Sequence, residues 1–245
     1  MIRYKIIIEY DGTPFRGWQR QDGLLTVQEC LEQAILPLAK RPVNVYGAGR
    51  TDAGVHAIGQ VAHFDLDRET EPFVVQQCMN HYLRNVPVSV LNTQIVDDEF
   101  HARFKAIERE YIYKILNRRA KPALDANKSW WVIRDLDVNL MNSTAQLLLG
   151  THDFSAFRAQ GCQAKSPIKT VSNAEVTRSG NHIKFTIRAN AFLYHQVRNI
   201  VGSLYNVGCG KWTATKFEEV MNKKDRSFAG MTTPACGLYL NKIYY

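Results

Sequence analysis

Tyr4-Lys5-Ile6-Ile7-Ile8-Glu9-Tyr10-Asp11-Gly12 is a β-rich run that stops at a turn signal. The next eighty residues supply its partners. Thr26-Val-Gln-Glu29 has the form of a capping box, opening a helix with Val27, Leu31, Ala34, Ile35 and Leu38 on one face. Residues 43–46 lead into a glycine-rich loop, and residues 60–64 alternate as a returning strand. Helical spacing over 73–83 and a β run over 88–96 close the unit. This is the β-α-β-β-α-β order of a ferredoxin-like half, with an antiparallel sheet and helices on one side.

The second half repeats the plan loosely. Residues 111–116 alternate as a strand, and 140–149 read as a helix with Gly150 as its C-cap. Residues 168–178 and 182–190 form a hairpin across Ser179-Gly180-Asn181. A helix over 194–207 buries Val197, Ile200, Val201 and Leu204; Thr215-x-x-Glu218 is a second capping box; and 237–244 end the chain as a strand. No Pro/Ser-rich linker intervenes. The expected architecture is α+β: two ferredoxin-like, RRM-like halves, 1–105 and 106–245. Their antiparallel sheets would join into one extended sheet, with a cleft between the halves.

Composition narrows the class. At 245 residues the chain can bury a real core, and 45% hydrophobic with 22% charged residues is ordinary for a globular protein. No apolar run approaches the ~20 residues of a bilayer span, and the N-terminal residues have no signal-peptide core. Five scattered cysteines without a C-x-x-C argue against a disulfide framework or zinc site and fit a reducing cytosol. The seven histidines show no metal spacing; His56 and His63, the closest pair, read as structural. A net charge of +8 favours a polyanionic partner. The cations also interleave with aromatics: Arg16 and Arg20 flank Trp18, and Arg103, Lys105 and Arg109 lead into Tyr111 and Tyr113. Such clusters can hold phosphates and stack bases.

The loop Gly47-Ala-Gly-Arg-Thr-Asp-Ala-Gly-Val-His-Ala57 carries the chemistry most open to question. Gly49-x-x-x-x-Gly54 has P-loop spacing, but Val55-His56 stand where Lys-Ser/Thr is required. Neither the G-x-G-x-x-G pattern nor a G-x-S-x-G elbow fits. Asp52 beside Arg50 is then either a turn aspartate satisfied locally or an active-site acid. Tyr111 has a packing reading. Arg198 borders a buried stripe, so it needs a carboxylate partner that spacing alone does not name.

Five motifs in order resolve these alternatives by resemblance. They are Gly49-Arg-Thr-Asp-Ala-Gly-Val-His-Ala57 with Gly59-Gln-Val-x-His-Phe64; Phe100-x-Ala-Arg103 through Arg109-x-Tyr111-x-Tyr113; Gly150-x-His-Asp-Phe154 with Phe157; Phe192-Leu-x-His-x-Val-Arg-Asn-Ile-Val-Gly202; and Pro234-Ala-x-Gly-Leu-Tyr-Leu240. Nearly end to end, the chain resembles tRNA pseudouridine synthases of the TruA type. Two departures are conservative: Tyr194 where histidine is frequent and Lys169 where arginine is frequent.

The resemblance implies that Asp52 is the essential aspartate attacking the target nucleoside and that Arg198 is its cationic partner. Tyr111 would stack on the target uracil, Arg50 would help extrude the base, and Leu238 would cover the uracil's other side. It further implies uridine isomerisation at positions 38, 39 and 40 in the tRNA anticodon stem-loop, by a cytoplasmic homodimer using no cofactor and no metal. The competing class is a non-catalytic RRM-like RNA-binding protein or RNA chaperone. That class gives no reason for an acid in a basic loop.

Overall fold

The alternation of residues 4–10 is realised as a strand whose Tyr4, Ile6, Ile8 and Tyr10 are all buried. The computed structural model describes residues 1–245. In chain order the elements are β1 (Ile2–Tyr10), α1 (Val27–Ala39), β2 (Tyr46–Gly47), β3 (His56–Leu66), α2 (Pro72–Leu83) and β4 (Val88–Val96). Then come β5 (Glu108–Asn117), β6 (Trp130–Val132), α3 (Val138–Ala145), β7 (Gly150–Asp153), β8 (Ile168–Ser179) and β9 (His182–Ala189). The chain ends with α4 (Gln196–Gly208), α5 (Ala214–Lys223) and β10 (Leu238–Tyr244). The class is α+β, as expected.

Two compact units emerge, residues 1–107 with 239–245, and residues 108–238. The break falls after Ile107, two residues beyond the expected boundary, and the last strand departs from the expected division altogether. Residues 239–245 return to the first unit, where Tyr239 and Leu240 pair in parallel with His56 and Ala57. The sheets are consequently mixed. β5 and β6 are also parallel, whereas the β1–β3, β1–β4, β2–β3, β5–β9, β7–β8 and β8–β9 ladders are antiparallel. No helix is long and apolar enough to cross a membrane.

In the first unit β1 lies between β4 and β3, and the far edge of β3 is shared by β2 and β10. β3 is buried along most of its length, so it is the central strand of that unit. Tyr4 stacks on Phe64 at 5.8 Å, and Leu31, Ile35, Val75 and Met79 from the helices complete the core. The second unit orders its main strands β5-β9-β8-β7. Its core joins Tyr113, Ile115, Phe185 and Ile187 to Val197, Ile200, Val201 and Leu204 of α4.

Three terminus expectations are corrected. Thr26 occupies the N-cap of α1, but its side chain caps nothing and its hydroxyl is buried without a partner. The free N–H groups of Val27 and Gln28 donate instead to the carbonyls of Gly17 and Trp18 (3.2 and 3.0 Å). α5 begins earlier than Thr215, because Thr213 Oγ1 accepts from Lys216 N at 3.1 Å. Gly150, at φ 95°, opens β7 rather than capping α3, which ends at Ala145 and gives way to a 3-10 turn. β6 and β7 themselves are elements the periodicity did not disclose.

One buried histidine gives the first unit a pH dependence. His63 is 2% exposed on β3, its ring stacked on Tyr46 and edge-on to His101. Burial first, then the nearby His101 and Arg3, lower its pKa from 6.5 to about 4. The fold holds the ring neutral while the unfolded chain takes up a proton below pH 6.5. The associated stability is thus complete above that pH and is lost as pH falls towards 4. From pH 7 to 4.5 we expect the wild type to lose more unfolding free energy than His63→Gln, by about 2–3 kcal/mol. Urea titrations at the two pH values check this, and equal losses would refute it.

Candidate active site

The loop of residues 47–55 is a rigid turn, fastened by its neighbours. Val55 N donates to Asp52 O at 3.1 Å, closing a turn whose third residue, Gly54, has φ 76°. That conformation favours glycine. The other two glycines do not need it: Gly47 instead lets the Trp18 ring approach, since a Cβ there would sit 2.5 Å from the indole.

The segment after β1 holds the loop from one side. Trp18 N donates to Thr51 O at 3.0 Å, Gly54 N to Phe15 O at 3.4 Å, and Tyr10 Oη bonds Thr51 Oγ1 at 2.7 Å. Gly12 and Gly17 make that approach possible. A Cβ at Gly12 would fall 2.0 Å from Val55 O, and Gly17, at φ 97°, would place one 2.6 Å from Thr51 O. From the strand side, Ala48 N donates to Val61 O, and the buried Gln60 side chain donates to Gly49 O, both at 2.7 Å. Asp52 is therefore half-buried on a backbone fixed by both β3 and the 10–18 segment.

These supporters escaped the sequence. Asp11-Gly12 registers as a turn and Trp18 as a stacking aromatic. Trp18 is in fact 2% exposed and packed under the loop, so it does not offer a face to a base. Tyr113 is likewise buried, donating its hydroxyl to Pro234 O at 2.8 Å. Removing the Gln60 donor with Gln60→Met should leave Gly49 O short of a partner and cost about 1–2 kcal/mol. Thermal denaturation reads this; an unchanged midpoint would mean the bond contributes nothing.

The five candidate residues divide between the units. Asp52 and the exposed Arg50 stand on the loop of the first. Tyr111, Arg198 and Leu238 belong to the second. Tyr111 is half-buried on β5, with Phe192 edge-on at 5.0 Å. Arg198 is the half-buried residue of an otherwise deeply buried turn of α4. Its Nε donates to Thr233 O at 2.7 Å, an anchoring role no sequence pattern signalled. The segment of residues 233–237 is thereby pinned by Arg198 on one side and by Tyr113 on the other, with Gly237 against the Tyr113 ring. That pinning fixes the approach to the buried Leu238, the first residue of β10.

The second unit also restricts the chain before α4. His195 takes φ 58°, so the helix starts at Gln196, two residues after the expected Tyr194. Tyr194 N donates to Cys162 Sγ at 3.3 Å, and Ala159 N donates to Tyr194 O at 3.1 Å.

A carboxylate on a backbone braced from two sides, in a chain of net charge +8, suits chemistry on a polyanion. Comparison with known proteins makes this specific. A family model described as tRNA pseudouridine synthase matches residues 6–105 and 144–245. The tRNA pseudouridine synthase A of Paramagnetospirillum magneticum is 50% identical over all 245 residues and 96% of the relative. That of Rhodospirillum centenum is 50% identical over the full length of both chains, and that of Maricaulis maris 49% identical over 98% of the relative. The chain belongs to the tRNA pseudouridine synthase family, a family of isomerases. Membership decides against the non-catalytic alternative.

Proposed function

We propose that this enzyme converts uridine to pseudouridine at positions 38, 39 and 40 of the tRNA anticodon stem-loop, with Asp52 as the covalent nucleophile. The observation that carries the reading is the bracing of Asp52: hydrogen bonds from β3 and from the 10–18 segment hold its backbone while the side chain stays half-exposed. Such preorganisation suits a group that must attack a ligand without moving.

The reaction breaks the N1–C1′ glycosidic bond, turns the uracil and forms C5–C1′. C5 loses a proton, N1 ends protonated, and no electrons are exchanged. A carboxylate serves by adding to the sugar C1′ or to the uracil ring and leaving again, as in a retaining glycosidase. In a site closed to water it stays ionised only beside a cation, the role given to Arg198. Arg50, exposed at the loop, assists extrusion of the base, which chemistry on a stacked nucleotide requires. Tyr111 and Leu238 hold the extruded uracil between them, and Tyr111 is the candidate to take the C5 proton. The enzyme works in the cytoplasm as a homodimer, its net charge of +8 matched to the tRNA backbone.

Supplying tRNA tritiated at uracil C5 tests the reading. Release of tritium to water is expected from the wild-type protein. Its absence with folded protein and suitable tRNA would end this proposal.

A further inference from the structure

The second unit contains an open cavity of about 600 Å³, with Ser155, Arg158, Gln160, Cys162, Arg226 and Ser227 in its wall. Arg158 and Arg226 are both half-buried, and neither forms an ion pair. Arg158 donates to two backbone carbonyls, Cys162 O and Ala164 O (2.8 and 2.9 Å), and its guanidinium also faces the neutral Cys162 thiol. Arg226 donates to Ala229 O (3.3 Å), Asn199 Oδ1 (3.1 Å) and Thr232 Oγ1 (3.1 Å), all neutral acceptors. Two guanidinium groups thus share one cavity wall with their charge uncompensated. Half-buried cations are ordinarily matched by an anion.

The nearest carboxylates do not supply it. Asp153 accepts from Ser155 N at 2.9 Å and lies 3.6 Å from Lys224 Nζ; Asp225 accepts from Ser227 N and Oγ. Neither forms part of the cavity wall. Hydrogen-bond donors also surround the Cys162 thiol. Burial raises the Cys162 thiol, yet the N–H groups of Tyr194 and Ala164 and the Arg158 guanidinium outweigh it and hold its pKa below the ordinary thiol value. Burial also lowers Arg226. The loop forming this wall is tied through Ala159 and Cys162 to Tyr194. Two residues before Tyr194 stands Phe192, edge-on to Tyr111. The cavity wall is therefore hydrogen-bonded to the stretch of chain that carries Phe192.

We propose that this cavity is a phosphate site, in which Arg158 and Arg226 grip one phosphodiester of the bound RNA. The inference rests on tRNA being the substrate, as proposed for the active site. Guanidinium forks match phosphate oxygens bidentately, which two arginines on one wall permit.

Filter binding of tRNA across a salt series tests it. Arg158→Gln and Arg226→Gln should each weaken binding roughly ten- to a hundredfold at fixed salt, and flatten the log Kd against log salt slope by about one. Because both arginines also hold backbone, an independent pair keeps the test open. Gln160 is exposed in the wall and makes no hydrogen bond of its own. Gln160→Glu should weaken tRNA binding and Gln160→Lys should tighten it, both with wild-type melting. Wild-type affinity and slope in the Gln160 pair would overturn the site even if the arginine variants unfold. If inorganic phosphate raises the melting temperature of wild type but not of Arg226→Gln, while tRNA affinity is unchanged in every variant, the site serves free phosphate and the RNA assignment falls. In either case tritium release by the wild type leaves the pseudouridine synthase reading standing.

Discussion

Asp52→Asn should abolish tritium release from C5-labelled tRNA, by roughly 10⁴-fold or more, the scale on which loss of a covalent nucleophile is felt. The amide matches the carboxylate in shape but cannot add to a sugar or a pyrimidine. The backbone of the turn owes its conformation to Gly54 and to the bonds on Thr51 and Gly49, none of which involves the Asp52 side chain. Because the amide keeps the shape of the carboxylate, melting should shift by no more than about 0.5 kcal/mol, and tRNA should still bind. A variant that unfolds would assign the aspartate to the turn; one that retains release within tenfold of wild type would remove it from the chemistry.

Gly202→Ala should be the most damaging single methyl in the second unit. Its Cβ would lie 1.9 Å from Met231 O, and a Cβ on Gly230 would lie 2.4 Å from Gly202 C. The two glycines let α4 and the segment of residues 229–233 touch backbone to backbone, where Gly230 N donates to Ser203 Oγ and Thr233 Oγ1 to Arg198 O. Alanine is the better helix former by about 1 kcal/mol, but a clash with main chain cannot be relieved by a rotamer. The net cost should be about 3 kcal/mol, a melting point lower by roughly 10 °C. Activity should fall too, because the same segment carries the carbonyl that holds Arg198. A midpoint within about 1 °C of wild type would show that the contact can open freely.

Strand and helix identity was legible where one periodicity ruled a long segment, as in β1, β8 and α4. Termini were less so, and the reasons differ. Thr26-x-x-Glu29 fits a capping box, but the carbonyls of Gly17 and Trp18 reach the helix first; that is a tertiary event with no local signature. Thr213 and Thr215 offer the same hydroxyl two residues apart, and the buried face of Phe217, Val220 and Met221 is served by either start. β10 reads correctly as a strand, while its parallel seat on β3 depends on a partner far away in sequence.

The candidate residues themselves were legible only through the motif series. In isolation, the acid of residues 47–57 was equally a turn. What no pattern revealed was the support: Trp18 reads as an exposed base-stacker and is instead the floor under Gly47. Glycine spacing says that something comes close without saying what.

The return of residues 239–245 to the first unit sets an order of events during synthesis. At roughly 5–20 residues per second, a ribosome spends on the order of ten seconds making residues 108–245 after the loop-bearing segment has emerged. Throughout that interval His56 and Ala57, immediately beyond the loop, present an unpaired strand edge, the kind of surface that invites wrong pairing. The unit made first is finished last. A chain interrupted before Tyr239 would carry the Asp52 loop on an incomplete sheet.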